Sequence, residues 1–240
     1  MENSMHGSCP AYVSEWSGGS PVQYAHSLVF DGNGRQRIFL EAGCFLRLSH
    51  GDAGPGYAAA QVPGHQAWRA VYEVKQPGVY QFAMEPAPYF DPEEDRFIIH
   101  YTKTVVAAFG DEKGWDVPLG LKMEIIPLTR PFANYSGNIF QGRVLLDGKP
   151  VPGAEVEVEY MSHEPNLKKN GLSAKSSVKY PNGVMVTQAI MTDANGVFTF
   201  GIPKAGWWGF AALGVGPDKK HDGKELSQDA VIWVQAVDMK

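Results

Sequence analysis

The run Ala154-Glu155-Val156-Glu157-Val158-Glu159-Tyr160 constrains this chain more than any other feature. Apolar and acidic residues alternate one for one, and only extended backbone sends successive side chains to opposite sides. A helix would smear the three glutamates around its axis. The segment therefore reads as a strand with an apolar face toward a core and Glu155, Glu157 and Glu159 toward solvent. The same period recurs upstream, where Phe140, Gly142, Val144 and Leu146 share a face and Asp147-Gly148 reads as a hairpin turn. Downstream, strands are expected over 184–191, 196–201, 207–213 and 230–237, with Asp193-Ala194-Asn195-Gly196 as a tight turn.

The first half carries a weaker version of this pattern. Short strands are expected over 27–30 and 37–40, and a half-buried one over 67–74. There Ala67, Arg69, Val71 and Glu73 alternate with Trp68, Ala70, Tyr72 and Val74. Gln76-Pro77-Gly78 reads as a turn and 79–84 as the return strand. Pro86, Pro88 and Pro92 interrupt pairing around Tyr89 and Phe90, which reads as an exposed loop. Residues 96–109 form a long central strand or a bent pair, and 121–126 a short strand closed by Pro127. Residues 129–136 read as a linker and 162–182 as a polar loop bearing Lys168, Lys169, Lys175 and Lys179.

Beyond residue 60 no stretch sustains a 3.6-residue period. Short strands at regular spacing argue for an all-β chain of two antiparallel β-sandwich domains. The expected division is an atypical segment over 1–60, the remainder of an N-terminal sandwich over 61–130, and a second sandwich over 131–240.

Charge and length narrow the partners. Twenty-six Asp and Glu outnumber 21 Lys and Arg over 240 residues. With no surplus of cations to neutralise phosphates, nucleic acid is not an expected partner. No uninterrupted apolar run exceeds that of Val105 to Phe109, far below the roughly 20 residues of a spanning helix. Cys9 and Cys44 are too few for a disulfide scaffold or a four-thiolate zinc site. Met1 to Pro10 holds no Lys or Arg, so no secretory leader is legible there.

Several motifs carry a family likeness. Gln141-Gly142-Arg143-Val144, Gly148-Lys149-Pro150-Val151-Pro152-Gly153-Ala154, Thr192-Asp193-Ala194-Asn195-Gly196-Val197-Phe198 and Ala205-Gly206-Trp207 are one such set. On these the second half resembles the transthyretin-like, carboxypeptidase-regulatory-like family of β-sandwich modules. A wider set comprises Gly64-His65-Gln66-Ala67-Trp68, Pro77-Gly78-Val79-Tyr80, Glu85-Pro86-Ala87-Pro88-Tyr89, Phe97-Ile98-Ile99-His100-Tyr101-Thr102-Lys103-Thr104 and Glu124-Ile125-Ile126-Pro127-Leu128. Gly114-Trp115-Asp116, Val156-Glu157-Val158-Glu159-Tyr160 and Lys204-Ala205-Gly206-Trp207-Trp208-Gly209-Phe210-Ala211 complete it. Over about three quarters of its length the chain thus resembles a bacterial domain-of-unknown-function family. That family is associated with the periplasmic side of cobalt/nickel ABC transport, as a nickel-transport-complex subunit. The resemblance implies a periplasmic location, transporter subunits as partners, and a metal ion or small chelate as cargo. Residues 1–60 depart from the family pattern and read as an altered or partly disordered N-terminus.

The seven histidines form no local metal motif such as His-x3-His. A nickel or cobalt site would have to be assembled from distant strands. His100 is the leading candidate ligand, beside Tyr101 and Lys103 and near the acidic run Asp91 to Asp95, with His65 and Glu124 as its expected partners. A strand-surface histidine making one hydrogen bond is the ordinary alternative for His100, and a solvated turn the ordinary alternative for the acidic run. Of Trp207 and Trp208, adjacent on a strand, one is expected in the core and the other exposed or at a domain interface. Trp115 reads as exposed. No Gly-x-Ser-x-Gly elbow, phosphate loop or His-Glu-x-x-His helix is present.

The expectation is a non-enzymatic periplasmic binding or accessory protein linked to nickel or cobalt uptake. Its rival is an envelope module that binds carbohydrate or protein through loops and exposed aromatics.

Overall fold

The computed structural model describes residues 77–240 except 86, 93, 111 and 167–170, together with the backbones of several strands upstream. Among these residues the protein is all-β, with a single 3-10 turn at Gly183–Met185. The strands that position the site are β1 (Gly78–Glu85), β2 (Tyr89–Asp91), β3 (Arg96–Ala108), β4 (Met123–Pro127) and β5 (Ile139–Leu146). They are followed by β6 (Glu155–Tyr160), β7 (Thr187–Met191), β8 (Val197–Gly201), β9 (Gly206–Ala212) and β10 (Lys224–Val237).

A large sheet runs in the order β7-β6-β9-β10-β3-β1 and continues onto the upstream strand Phe45–Leu48. A smaller sheet has β5 at its centre, with β4 on one side and β8 on the other. Upstream, Val29–Phe30, Arg35–Leu40, His65–Glu73 and Gly56–Val62 pair in a separate four-stranded sheet, overlapping the strands expected over 27–30, 37–40 and 67–74, of which 27, 28 and 74 lie outside the described residues.

The two sheets meet face to face over one core. Val156, Val158, Trp208, Phe210, Ala230, Ile232 and Val234 from the large sheet pack against Met123, Ile125, Phe140, Val144, Phe198 and Phe200 from the small one. Each buried Val, Ile or Phe removes apolar area worth about 1.5–3 kcal/mol from water. Packing here is close enough to dictate residue type. A Cβ on Gly142 would lie 2.5 Å from the Phe198 ring, so only glycine admits that ring between β5 and β8. The turn after β5 needs left-handed backbone at both central residues, and Asp147 (φ 49°) and Gly148 (φ 73°) supply it.

Four expectations change. First, the sheet is mixed: β3 lies parallel to β10, with Phe97 to Thr104 in register with Leu226 to Trp233. Second, Tyr89 and Phe90 form a short strand, β2, that pairs with the start of β3. The flanking prolines bound this strand and leave its pairing edge intact. Third, the polar segment 162–182 contains a hairpin of His163–Asn166 and Gly171–Ser176. Fourth, both tryptophans are buried, Trp208 in the main core and Trp207 in a cluster with Ala211, Val231 and Trp233 on the other face of the large sheet. The second tryptophan was expected to be exposed or at a domain interface because a strand has two faces; here both faces of the sheet are covered. Trp115 is half-buried.

Candidate functional site

The second face of the large sheet, beside the Trp207 and Trp233 cluster, carries a cavity of about 580 Å³. Ile98 and His100 from β3, Ser227 and Asp229 from β10, Glu157 from β6, and Thr187 and Ala189 from β7 face it. Glu94 and Arg96 at the entry to β3, Leu213-Gly214 after β9, and the 3-10 turn at Gly183 and Val184 complete the wall.

Alternation explains why these side chains converge. His100 and Asp229 are register partners on parallel β3 and β10, so they leave the sheet side by side. His100 Nε2 lies 3.2 Å from Asp229 Oδ2, and both side chains are almost fully buried. The other carboxylate oxygen of Asp229 accepts the Gly214 N–H at 2.7 Å and the Ser227 hydroxyl at 2.6 Å. That carboxylate is fully engaged, as a buried charge must be. Tyr89 packs edge-on against the His100 ring, 5.9 Å between centroids.

Glu157 stands on the same side, two strands away. Its Oε2 is buried without a hydrogen-bond partner. Burial pushes its carboxyl up to about 7, and the negative charges of Glu159, Glu155, Glu94 and Asp229 add to that. Glu94 is also raised, by burial first, although the Arg96 guanidinium at 2.7 Å opposes the shift. Three carboxylates therefore share the cavity wall with Arg96 and His100. The expectation that Glu155, Glu157 and Glu159 are simply a solvent face holds for exposed Glu155 but not for Glu157, because β7 and the segment before it wall off that part of β6.

His100, the leading candidate ligand, is buried in the cavity wall and paired with Asp229. Glu124 is elsewhere. Lys103, three residues beyond His100, leaves β3 on the opposite face, and its ammonium lies 2.8 Å from Glu124 Oε1. Glu124 also accepts the Leu119 N–H at both carboxylate oxygens. Glu124 is therefore the counter-ion of a buried lysine, and the structure does not bring it together with His100. The side chain of His65 lies outside the described residues. His163 pairs through Nδ1 with the Ser173 carbonyl oxygen, and His221 packs edge-on against Phe97. Asp91 is buried and accepts the Glu94 N–H, so the acidic run is a folded turn with its first carboxylate inside.

Among the described residues no group of three or more His, Cys, Asp or Glu is gathered to hold a metal ion. The Ser227 hydroxyl donates to Asp229 instead of to the imidazole.

Sequence reasoning missed Asp229, Ser227 and Glu157. Asp229 was legible in part, since Ser227, Asp229, Val231 and Trp233 continue one face of the expected strand, which begins six residues earlier than anticipated. Nothing local marks Glu157 apart from Glu155 and Glu159, because what covers it comes from β7.

No curated protein matches the chain. Among solved structures, the D0-D1 domain of Intimin aligns at 14% identity over 85% of this chain and 92% of that one, with a TM-score of 0.22. The full ectodomain of mouse nectin-like molecule 4 aligns at 7% identity over 96% and 65%, also with a TM-score of 0.22. CfaE, the adhesive subunit of CFA/I fimbria of enterotoxigenic Escherichia coli, aligns at 11% identity over 98% and 85%, with a TM-score of 0.17. Scores this low carry no argument about fold or role. The family comparison is different in kind, since its match covers residues 19–216: the chain belongs to the DUF4198 family, a domain of unknown function.

Proposed function

We propose that this protein is a non-enzymatic binding or accessory protein that holds a small, positively charged solute in the acidic cavity. The cargo we favour is nickel or cobalt carried as a small chelate, received in the periplasm and passed to membrane transporter subunits. The observation that carries the reading is the cavity wall, where Glu94, Glu157 and Asp229 face about 580 Å³ of space with Arg96 as the permanent counter-charge among the described residues lining it. Such a volume suits a small molecule, whose pockets typically span about 300–1,000 Å³, and exceeds what a bare ion fills. Mutual repulsion among the carboxylates of Glu157, Glu94 and Asp229 favours the arrival of a cation. The choice of nickel or cobalt, the periplasm and the transporter rests on the family resemblance alone. The orientation of Ser227 toward Asp229 is what favours a holder over a hydrolase.

Calorimetric titration tests this. Nickel and cobalt chlorides are compared with their 1:1 histidine chelates, which keep one positive charge, against the unsubstituted chain, Glu157→Gln and His100→Ala. The reading expects saturable heat with a chelate and affinity about tenfold lower in Glu157→Gln, equivalent to about 1.4 kcal/mol. Absence of heat from every species would end it.

A second reading, an envelope module that binds carbohydrate or protein, draws on the exposed aromatics Phe90, Phe109 and Tyr135. A glycan array and a pull-down from envelope extract separate the two, because a chelate carrier should be silent in both.

A further inference from the structure

The outer strand of the large sheet is unlike a protected edge. β7 pairs with β6 on one side and with no strand on the other among the described residues. Proteins usually blunt such edges with charged side chains, proline or a bulge, since a free row of N–H and C=O groups templates further pairing. From Gly183 to Met191 the sequence Gly-Val-Met-Val-Thr-Gln-Ala-Ile-Met has neither a charge nor a proline. It also concentrates exposed apolar side chains: Val184 is 86% exposed, Met191 61%, Met185 47% and Val186 37%.

We propose that β7 is a self-association edge, and that its occupant is β7 of a second copy of this chain, paired antiparallel about a two-fold axis through Ala189. The edge is complementary to its own copy. A two-fold antiparallel pair places Ala189 opposite Ala189 and Thr187 opposite Met191, with Gln188 opposite Ile190, so every cross-strand pair is small, apolar or neutral. No like charges meet, which is the usual obstacle to a strand pairing with its own copy. A charged peptide would gain nothing from this uncharged edge beyond main-chain hydrogen bonds. Both Thr187 and Ala189 line the acidic cavity. The pairing would therefore set the partner's Met191 beside Thr187 and extend the wall of each cavity across the two-fold. The proposal does not depend on what the cavity holds.

Two variants of the full chain test it. In the two-fold pair the Ala189 Cα atoms stand about 4.5–5.5 Å apart, within reach of a disulfide. Ala189→Cys should give a covalent dimer under mild oxidation, beyond any cross-linking of the unsubstituted chain through Cys9 and Cys44. Light scattering should show the unsubstituted chain doubling in mass with concentration. Ala189→Lys, which sets like charges face to face, should remain at the mass of one chain with an unchanged circular dichroism spectrum. Should Ala189→Lys fail to fold, the cysteine cross-link decides. A chain that remains single at its highest attainable concentration would overturn the proposal. So would a dimer that survives Ala189→Lys, or an Ala189→Cys chain that cross-links no more than the unsubstituted one.

Discussion

Glu157 concentrates the electrostatic tension of this molecule. In the unfolded chain its carboxyl ionises near 4.5, whereas in the folded protein it does so only near 7. Between those values the unfolded chain has released a proton that the folded one retains. Rising pH therefore favours unfolding across that window, and the cost is absent below about 4.5 and complete above about 7. Water screens part of it, because the side chain is only half-buried, which leaves about 1–2 kcal/mol. Chemical denaturation should find Glu157→Gln more stable than the unsubstituted chain by that amount at pH 8 and equal to it at pH 4.5. Equal stability at pH 8 would contradict the account. Lys103 and Glu124 pose the opposite case. Both are buried, and burial lowers the Lys103 pKa while Glu124 opposes that shift. Removing either alone strands a charge and should cost about 3–5 kcal/mol, whereas Lys103→Met with Glu124→Leu should cost far less. Denaturation curves of the two single variants and the double variant check this. At this scale the sequence was uneven. His100 could be singled out because a histidine inside an Ile-Ile-His-Tyr strand is conspicuous, but its partner lies 129 positions later and no local spacing announces it. Glu124 looked available because its neutralising lysine cannot be recognised until β3 and the Glu124 strand are seen together.

Elements were more legible than partners. The alternation from Glu155 to Tyr160 and the Asp147-Gly148 turn are where the period of two predicts them, because each depends on backbone geometry set within a few residues. What the pattern could not carry is pairing direction. An apolar strand reads the same whether its neighbour runs parallel or antiparallel, so the β3–β10 junction emerges only from the whole chain. The Tyr89-Phe90 strand was hidden by its prolines, which lie outside the paired residues. Between β5 and β8 the fit of Phe198 over Gly142 makes a sharp prediction. Gly142→Ala forces a Cβ into that ring and into Ile125 and should destabilise by about 1–3 kcal/mol, read from the denaturation midpoint. A neutral outcome would mean the two strands can separate without loss.

On the scale of the whole molecule, β10 is the common member. It pairs with β9 from Gly206 to Ala212 and with β3 from Phe97 to Thr104, so residues on both sides of position 130 share one sheet. Far-UV circular dichroism and tryptophan fluorescence should therefore report coincident unfolding of the described region, with two separated transitions as the contrary result. The same strand brings Asp229 to His100 and closes the floor of the cavity. The most direct test of a cation-holding cavity is amide NMR of the isotope-labelled protein during addition of the cobalt(II)–histidine chelate. The account predicts paramagnetic broadening centred on Glu157, Gly214, Ser227 and Asp229, with the β5–β8 side of the core left sharp. Broadening centred elsewhere, or none at saturating chelate, would contradict it.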